Sequence, residues 1–392
     1  IKHGRLIGDK ALLTSLVTGF VCNDYVSELI GEMIAPCIRQ AAHEEGYRIL
    51  PTQKEPVLIN VKGASASGKS TMRPLQHKHV EKLGLAWQDF ALISPDIWRK
   101  YLLDYESLGV ASKYAGMLAG DEVPVLDQKF DHYIERKSRQ DGLPHLLIDR
   151  FRFNSFAHGL GPEKGSNLLT RFGHTVYLVF LVTPPEATVE RAWKRGLQVG
   201  RFKAVDDLLD HNIEAFKGIP NLFFTWALHK DKKVYYEFLD NGVEYGQKPR
   251  TIAFGVNDEM YILDFKCIFD IVRYTKINIE ARIPSEVYPP QDEMDAAANT
   301  DFLLQCARKI PEINFVDPAS KKIYACISSS KVNWLDADML KRLLDQADVK
   351  TGLLSIIPNL IEDLAEFQHQ QARPLTPELS YYTMGAINQA NI

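Results

Sequence analysis

Nine consecutive residues, Gly63-Ala64-Ser65-Ala66-Ser67-Gly68-Lys69-Ser70-Thr71, constrain this chain more than any others. They carry the pattern G-x4-G-K-S and follow Val57-Leu58-Ile59-Asn60-Val61, which reads as a short buried strand. A helical pattern follows from about residue 70 to residue 82. Strand, glycine-rich turn and helix, in that order, is the setting this pattern needs. Gly63 and Gly68 let the backbone turn tightly and aim its N–H groups inward, and the helix start adds free N–H groups of its own. Residues 63–71 are therefore expected to cradle the phosphates of a nucleoside triphosphate, ATP or GTP. Lys69 is expected to reach the β- and γ-phosphates, and the Ser70 hydroxyl to hold Mg2+.

Strand and helix patterns alternate around this P-loop. Residues 91–93, 145–148 and 175–182 read as further strands, and 121–139 and 185–195 as helices. The fold class is α/β, a parallel P-loop-type sheet with helices on both faces. Four segments follow from the patterning: an N-terminal helical segment at 1–50, the P-loop core at 51–220, a small β-rich element at 221–286, and a helical C-terminal region at 287–392. Within the first, Leu12, Leu13, Leu16, Val17, Phe20, Val21, Val26, Leu29, Ile30, Met33 and Ile34 keep helical spacing. Such a stripe predicts an amphipathic helix docked on a core, in preference to a signal-peptide segment.

Three further segments carry chemistry. The strand at 91–93 runs into Ser94-Pro95-Asp96, and strand ends on the P-loop side of such a sheet face the ligand crevice. Asp96 is placed to accept the proton of an attacking hydroxyl; the same S-P-D also suits a helix cap. Asp149 ends the third strand, where an acid holds Mg2+ or its water, or else pairs with Arg150 or Arg152. Beyond the fourth strand, Arg191, Lys194, Arg195 and Arg201 are interrupted by Gly196 and Gly200. A basic segment of this kind suits a lid, with Arg191 and Arg201 supplying positive charge to the transition state.

Composition narrows the function. Against 50 acidic residues stand 46 lysines and arginines, a net charge of −4, whereas nucleic-acid binding needs a cation for each phosphate contact. Nucleic acid is therefore disfavoured as a partner. The five cysteines lack any C-x-x-C pair, which reads as reduced thiols in cytoplasm, or in a host cytosol if the chain is delivered there. No apolar run approaches the ~20 residues that span a bilayer, so no membrane partner is expected. His77 and His79 read as helix surface, and the aromatic residues at 223–226 and 235–238 as core. The start Ile1-Lys2-His3 lacks a methionine and reads as cut from a longer chain.

The helical lead-in, the sequence G-A-S-A-S-G-K-S, Asp96, Arg191 and Arg201 together resemble the zeta-toxin P-loop kinases over about residues 40–220. That resemblance implies transfer of the γ-phosphate of ATP or GTP to UDP-N-acetylglucosamine, with Asp96 activating the sugar hydroxyl and Arg191 and Arg201 around the transferred phosphate. It also raises an antitoxin as a protein partner. Where the family has small residues and Thr after the third-strand acid, this chain has Arg150, Phe151 and Arg152, which are expected to narrow or recharge the sugar pocket. A small-molecule hydroxyl is the expected acceptor. A polynucleotide or nucleoside 5′-hydroxyl kinase and a nucleotide-dependent switch without small-molecule kinase activity are the alternatives.

Overall fold

The computed structural model describes residues 7–94 except 24, then 97, 101, 103–118, 122–140, 142–150, 173–328 except 245, 331–359 and 372–387. Asp96, Phe151 and Arg152 lie outside the described residues.

Four strands run parallel in the order β4-β1-β3-β2: β1 Val57–Lys62, β2 Phe90–Ile93, β3 His145–Ile148 and β4 Thr175–Val182. Their sequences are nearly unbroken apolar runs because both faces are covered. The pleat then sorts side chains by parity. Leu58, Leu146, Ile148, Val176, Leu178 and Phe180 enter one core, and Ile59, Val61, Leu147, Tyr177, Val179 and Leu181 the other. Helix α3, Arg73–Lys82, covers the second core through Val80, while Phe216, Ile219 and Phe223 of the long helix Val205–Ala227 fill the first.

The β-rich element continues this sheet. β5, Lys233–Asp240, lies parallel to β4 in register from Thr175↔Lys233 to Val182↔Asp240. β6, Arg250–Val256, and β7, Glu259–Ile262, follow antiparallel. Ring contacts reinforce the β4–β5 seam on both faces, Tyr177 with Tyr235 at 4.9 Å and Phe180 with Phe238 at 4.7 Å. The aromatic residues read as core are buried: Phe223, Phe224, Trp226, Tyr235, Tyr236 and Phe238 are each less than 10% exposed.

Three expectations need correction. The C-terminal region is not only helical, because β8 Glu312–Asp317, β9 Lys322–Ser328 and β10 Lys331–Trp334 extend the same sheet, with β11 Arg373–Pro374 against β9. In β8 the four consecutive residues 313–316 are buried, a run too short to stand out beside the surrounding helices. Second, the N-terminal stripe does not dock on a core. Helices α1, Lys10–Asn23, and α2, Tyr25–Glu44, keep Leu12, Phe20 and Met33 at 57%, 64% and 70% exposure. The half-buried positions of α2 are instead Ser27, Gly31, Ala35 and Ala42, which share the opposite side of the helix. Third, His79 is buried at the α3–sheet contact, edge-on to Tyr177 at 5.0 Å, while His77 is only half-buried. Among the described residues no helix is long and apolar enough to cross a membrane.

Candidate active site

β1 delivers the chain into the loop at Gly63. A Cβ there would lie 2.6 Å from Ser67 Oγ and 3.0 Å from Leu181 Cβ, so the loop folds back tightly over the β1–β4 seam. Gly68 has φ 100°, and a Cβ on it would meet Asn241 Nδ2 at 2.4 Å. Both conformation and space require glycine at that position. Ala66 also adopts a positive φ, 60°.

One atom anchors the loop. The Ser67 carbonyl accepts from Thr183 Oγ1 at 3.0 Å, Asn241 Nδ2 at 2.7 Å and an Arg191 nitrogen at 3.3 Å. Thr183 follows β4 and Asn241 follows β5, so two parallel strand ends converge on it with the helix α4, Pro185–Val199, that carries Arg191. Arg191 also donates to the Asn241 and Val243 carbonyls at 2.7 and 3.1 Å. Its guanidinium is held by backbone, as a brace of the loop; burial lowers its pKa from the ordinary value. That placement differs from the lid role expected for it.

Lys69 bends back over its own loop and donates to the Gly63 and Ala64 carbonyls at 2.9 and 2.7 Å. Ser70 and Thr71 are exposed, with Thr71 Oγ1 donating to Gly68 O at 2.7 Å. The helix expected from residue 70 starts later, because Lys69–Met72 forms a tight 3-10 turn before α3, with Pro74 in the first turn of α3. The buried Ser67 hydroxyl has no hydrogen-bond partner among the described residues. A left-handed glycine, an inward lysine and an orphaned hydroxyl in one loop fit a bound polyphosphate. Buried donors of this kind are otherwise costly.

A second cationic group faces the loop, and sequence reasoning missed it. Gly200, at φ 65°, ends α4, and Phe202 packs on Trp193 with ring centroids 5.5 Å apart. The chain then presents Lys203, whose Nζ lies 3.4 Å from Ser65 Oγ. His211, from the helix Val205–Ala227, sets Nδ1 2.8 Å from the same Ser65 Oγ and also contacts Lys203. Burial, and then Lys203, pushes His211 down to about 4, so its ring is neutral near pH 7. Arg201, two residues before Lys203, is half-buried. The continuation of the basic segment to Lys203 was the available signal; His211 had none.

The third strand end differs from expectation. Among the described residues Asp149 pairs with Arg73 of α3 at 3.1 Å and not with Arg150; the alternative partner Arg152 lies outside the described residues. Arg150 is 1% exposed and turns inward, to Asp131 at 2.9 Å and Asp127 at 3.1 Å on the helix Glu122–Gln140. It therefore does not recharge a surface pocket. Beside it Lys62, fully buried, donates to the Arg150 carbonyl at 2.9 Å, and burial holds its pKa well below the usual lysine range. Desolvation likewise lifts Asp131 to about 7 against the pull of Arg150. A cavity of about 840 Å3, lined by Phe216, Phe224 and Phe302 with Lys217 and Lys309, shares no residue with the loop.

Buried His79 and half-buried His211 set a pH dependence, and burial lowers His145 in the same direction. Burial pushes His79, like His211, down to about 4, below the 6.5 of an exposed ring. The unfolded chain then binds protons that the folded one does not, so their contribution is present above pH ~6.5 and lost as pH falls toward 4. Asp131 acts in the opposite sense over part of that window. The fall in unfolding midpoint between pH 7 and pH 4.5 is therefore expected to be smaller in His79→Phe than in the parent. An equal fall in thermal melts of both proteins would remove His79 from the account.

No family model matches this chain, and no curated protein matches it. Similarity is found to a solved structure from the PezAT chromosomal toxin–antitoxin system of Streptococcus pneumoniae, at 18% identity over 56% of this chain and 79% of that one, with a TM-score of 0.35. A kinase candidate from Chloroflexus aurantiacus J-10-fl is similar at 20% identity over 40% and 77% of the two chains, with a TM-score of 0.26. The resemblance drawn from the sequence thus finds structural neighbours over part of the chain, at a distance that carries nothing further.

Proposed function

We propose that this chain is a Mg2+-dependent phosphotransferase that moves the γ-phosphoryl group of ATP or GTP to a hydroxyl of a small molecule. The observation that carries the reading is the braced loop, with Lys69 inside it and Lys203 and His211 facing Ser65. In the nucleotide complex Lys69 leaves the Gly63 and Ala64 carbonyls and pairs with phosphate, a stronger acceptor. Lys203 neutralises charge from the other side. Neutral His211 fixes the Ser65 hydroxyl, and Arg191 with Asn241 and Thr183 keeps the loop from relaxing. Ser70 would hold the magnesium ion, which when bound offsets charge developing on the phosphoryl oxygens. Asp149 lies at the end of the strand beside β1 and would act on the ion's water shell, with Arg73 holding its carboxylate in place.

Asp96, two residues after Ser94 at the end of β2, is assigned the proton of the attacking hydroxyl. Because β2, β3, β1 and β4 are parallel, their C-terminal ends open on one side of the sheet. A sugar nucleotide is the first acceptor to try, on the resemblance noted from the sequence, and nucleosides and short oligonucleotides are the next.

The test combines calorimetry with Mg2+·ATP and Mg2+·GTP and a screen of these acceptors with γ-labelled nucleotide. Asp96→Asn is expected to bind nucleotide as the parent does and to transfer about 10²–10⁴-fold more slowly. Nucleotide binding with no transfer to any acceptor would favour the switch reading instead. One contact supports that second reading: Tyr381 and Lys82 exchange hydrogen bonds, linking the C-terminal segment to the end of α3.

A further inference from the structure

The helical hairpin α1–α2 is built inside out. On α2, Ser27, Gly31, Ala35 and Ala42 are half-buried, while Val26, Leu29, Ile30 and Met33 lie on the other side and are exposed. On α1 the half-buried positions include Thr18, Gly19 and Cys22, and Leu16, Val17 and Phe20 are exposed. The hairpin is tied to the body from its small-residue side, by Lys129 to the Cys22 carbonyl and Ser27 hydroxyl and by Arg136 to Glu32 at 3.8 Å. Its large apolar side chains therefore point away from the protein.

We infer that this face is the contact surface of a homodimer, in which two hairpins pack into a four-helix layer. Eleven large apolar side chains of the hairpin are between 44% and 70% exposed. Together they present on the order of 1,000 Å2, against the ~800 Å2 per partner of a standard stable interface. A monomer rarely leaves a patch of that size in water. The stripe is uniformly aliphatic with one phenylalanine, so it is complementary to itself, as a two-fold contact requires. Glu28, Glu32 and Arg39 fall on a separate flank of α2, so pairing two stripes buries no like charges.

Charge also selects against a lipid surface. Helices that lie on membranes carry a basic polar face. Here α1 has Lys10 alone, and α2 sets Glu28, Glu32 and Glu44 against one arginine, Arg39.

The test is mass by light scattering of the purified 392-residue chain across about 1–50 µM, with a Leu16→Glu/Ile30→Glu variant beside it. The parent is expected at twice the 44.5 kDa of one chain, and the variant at 44.5 kDa. Both altered side chains are about half exposed, so the variant is expected to keep the parent's helical circular dichroism, unfolding midpoint and nucleotide affinity. A parent monomeric at every concentration would overturn the inference, as would a dimer that survives both charges. A monomeric parent that floats with neutral or anionic lipid vesicles would assign the face to membrane instead. Because the readout is mass, its failure leaves the phosphotransferase reading untouched.

Discussion

Lys69→Ala is expected to weaken Mg2+·ATP binding by about 10–100-fold, the worth of a charged group's hydrogen bonds. Phosphoryl transfer is expected to fall further, by about 10²–10³-fold, because charge develops on the bridging and γ-oxygens during the reaction. The asymmetry is the informative part. In the free protein the ammonium donates to the Gly63 and Ala64 carbonyls, while the loop is held through Ser67 by Thr183, Asn241 and Arg191. The thermal midpoint should therefore move little. Titration calorimetry, single-turnover transfer and a melt on the same preparation read the three quantities. A variant that binds nucleotide as tightly as the parent would show that the loop does not grip phosphate through Lys69.

Arg150→Met is expected to cost about 3–5 kcal/mol of folding stability, the range for breaking a buried ion pair from one side. Arg150 is the cation between Asp127 and Asp131, and all three are less than 10% exposed. Removing it leaves two carboxylates in low dielectric with one countercharge fewer. The Asp131 carboxyl, already raised by burial, then rises further above the unfolded value, and the folded state binds protons that the unfolded state does not. Stability lost at pH 8 should return as pH falls toward 5, so urea midpoints of parent and variant should converge in acid. A constant gap across pH would mean that the variant suffers from packing, not charge. Adding Asp127→Asn and Asp131→Asn to Arg150→Met should recover part of the loss at pH 8.

The parallel half of the fold is legible in the sequence because a strand buried on both faces must be apolar throughout, and β1, β3 and β4 have few other readings. The loop is legible because its demands fall on individual residues: Gly68 must have positive φ and no Cβ, and Lys69 must carry charge. What surrounds the loop is not, because Asn241 reaches it only once β5 has paired with β4, and His211 only once the helix Val205–Ala227 has packed. Neither contact has a local signature. Arg191 shows the same limit, since a basic residue after the fourth strand gives no sign of the Ser67, Asn241 and Val243 carbonyls that surround it once the fold has formed. The stripe of α1 and α2 was legible as amphipathic, but periodicity says nothing about what faces it. The partners of Asp149 and Arg150 were hidden for a similar reason: adjacent side chains on a strand end diverge by half a turn, one toward Arg73 of α3 and the other inward to Asp127 and Asp131.

The eight-residue seam between β4 and β5 has a consequence for anyone hoping to work with the N-terminal, parallel half of the sheet alone. A fragment stopping near residue 220 would strip the partner from Thr175–Val182, leaving a raw apolar margin with its backbone amides and carbonyls unanswered. Margins of that kind recruit other chains. The same cut would remove Asn241 from the loop, so the shortened protein would be sticky and loosely gripped at the one place where it is meant to be rigid.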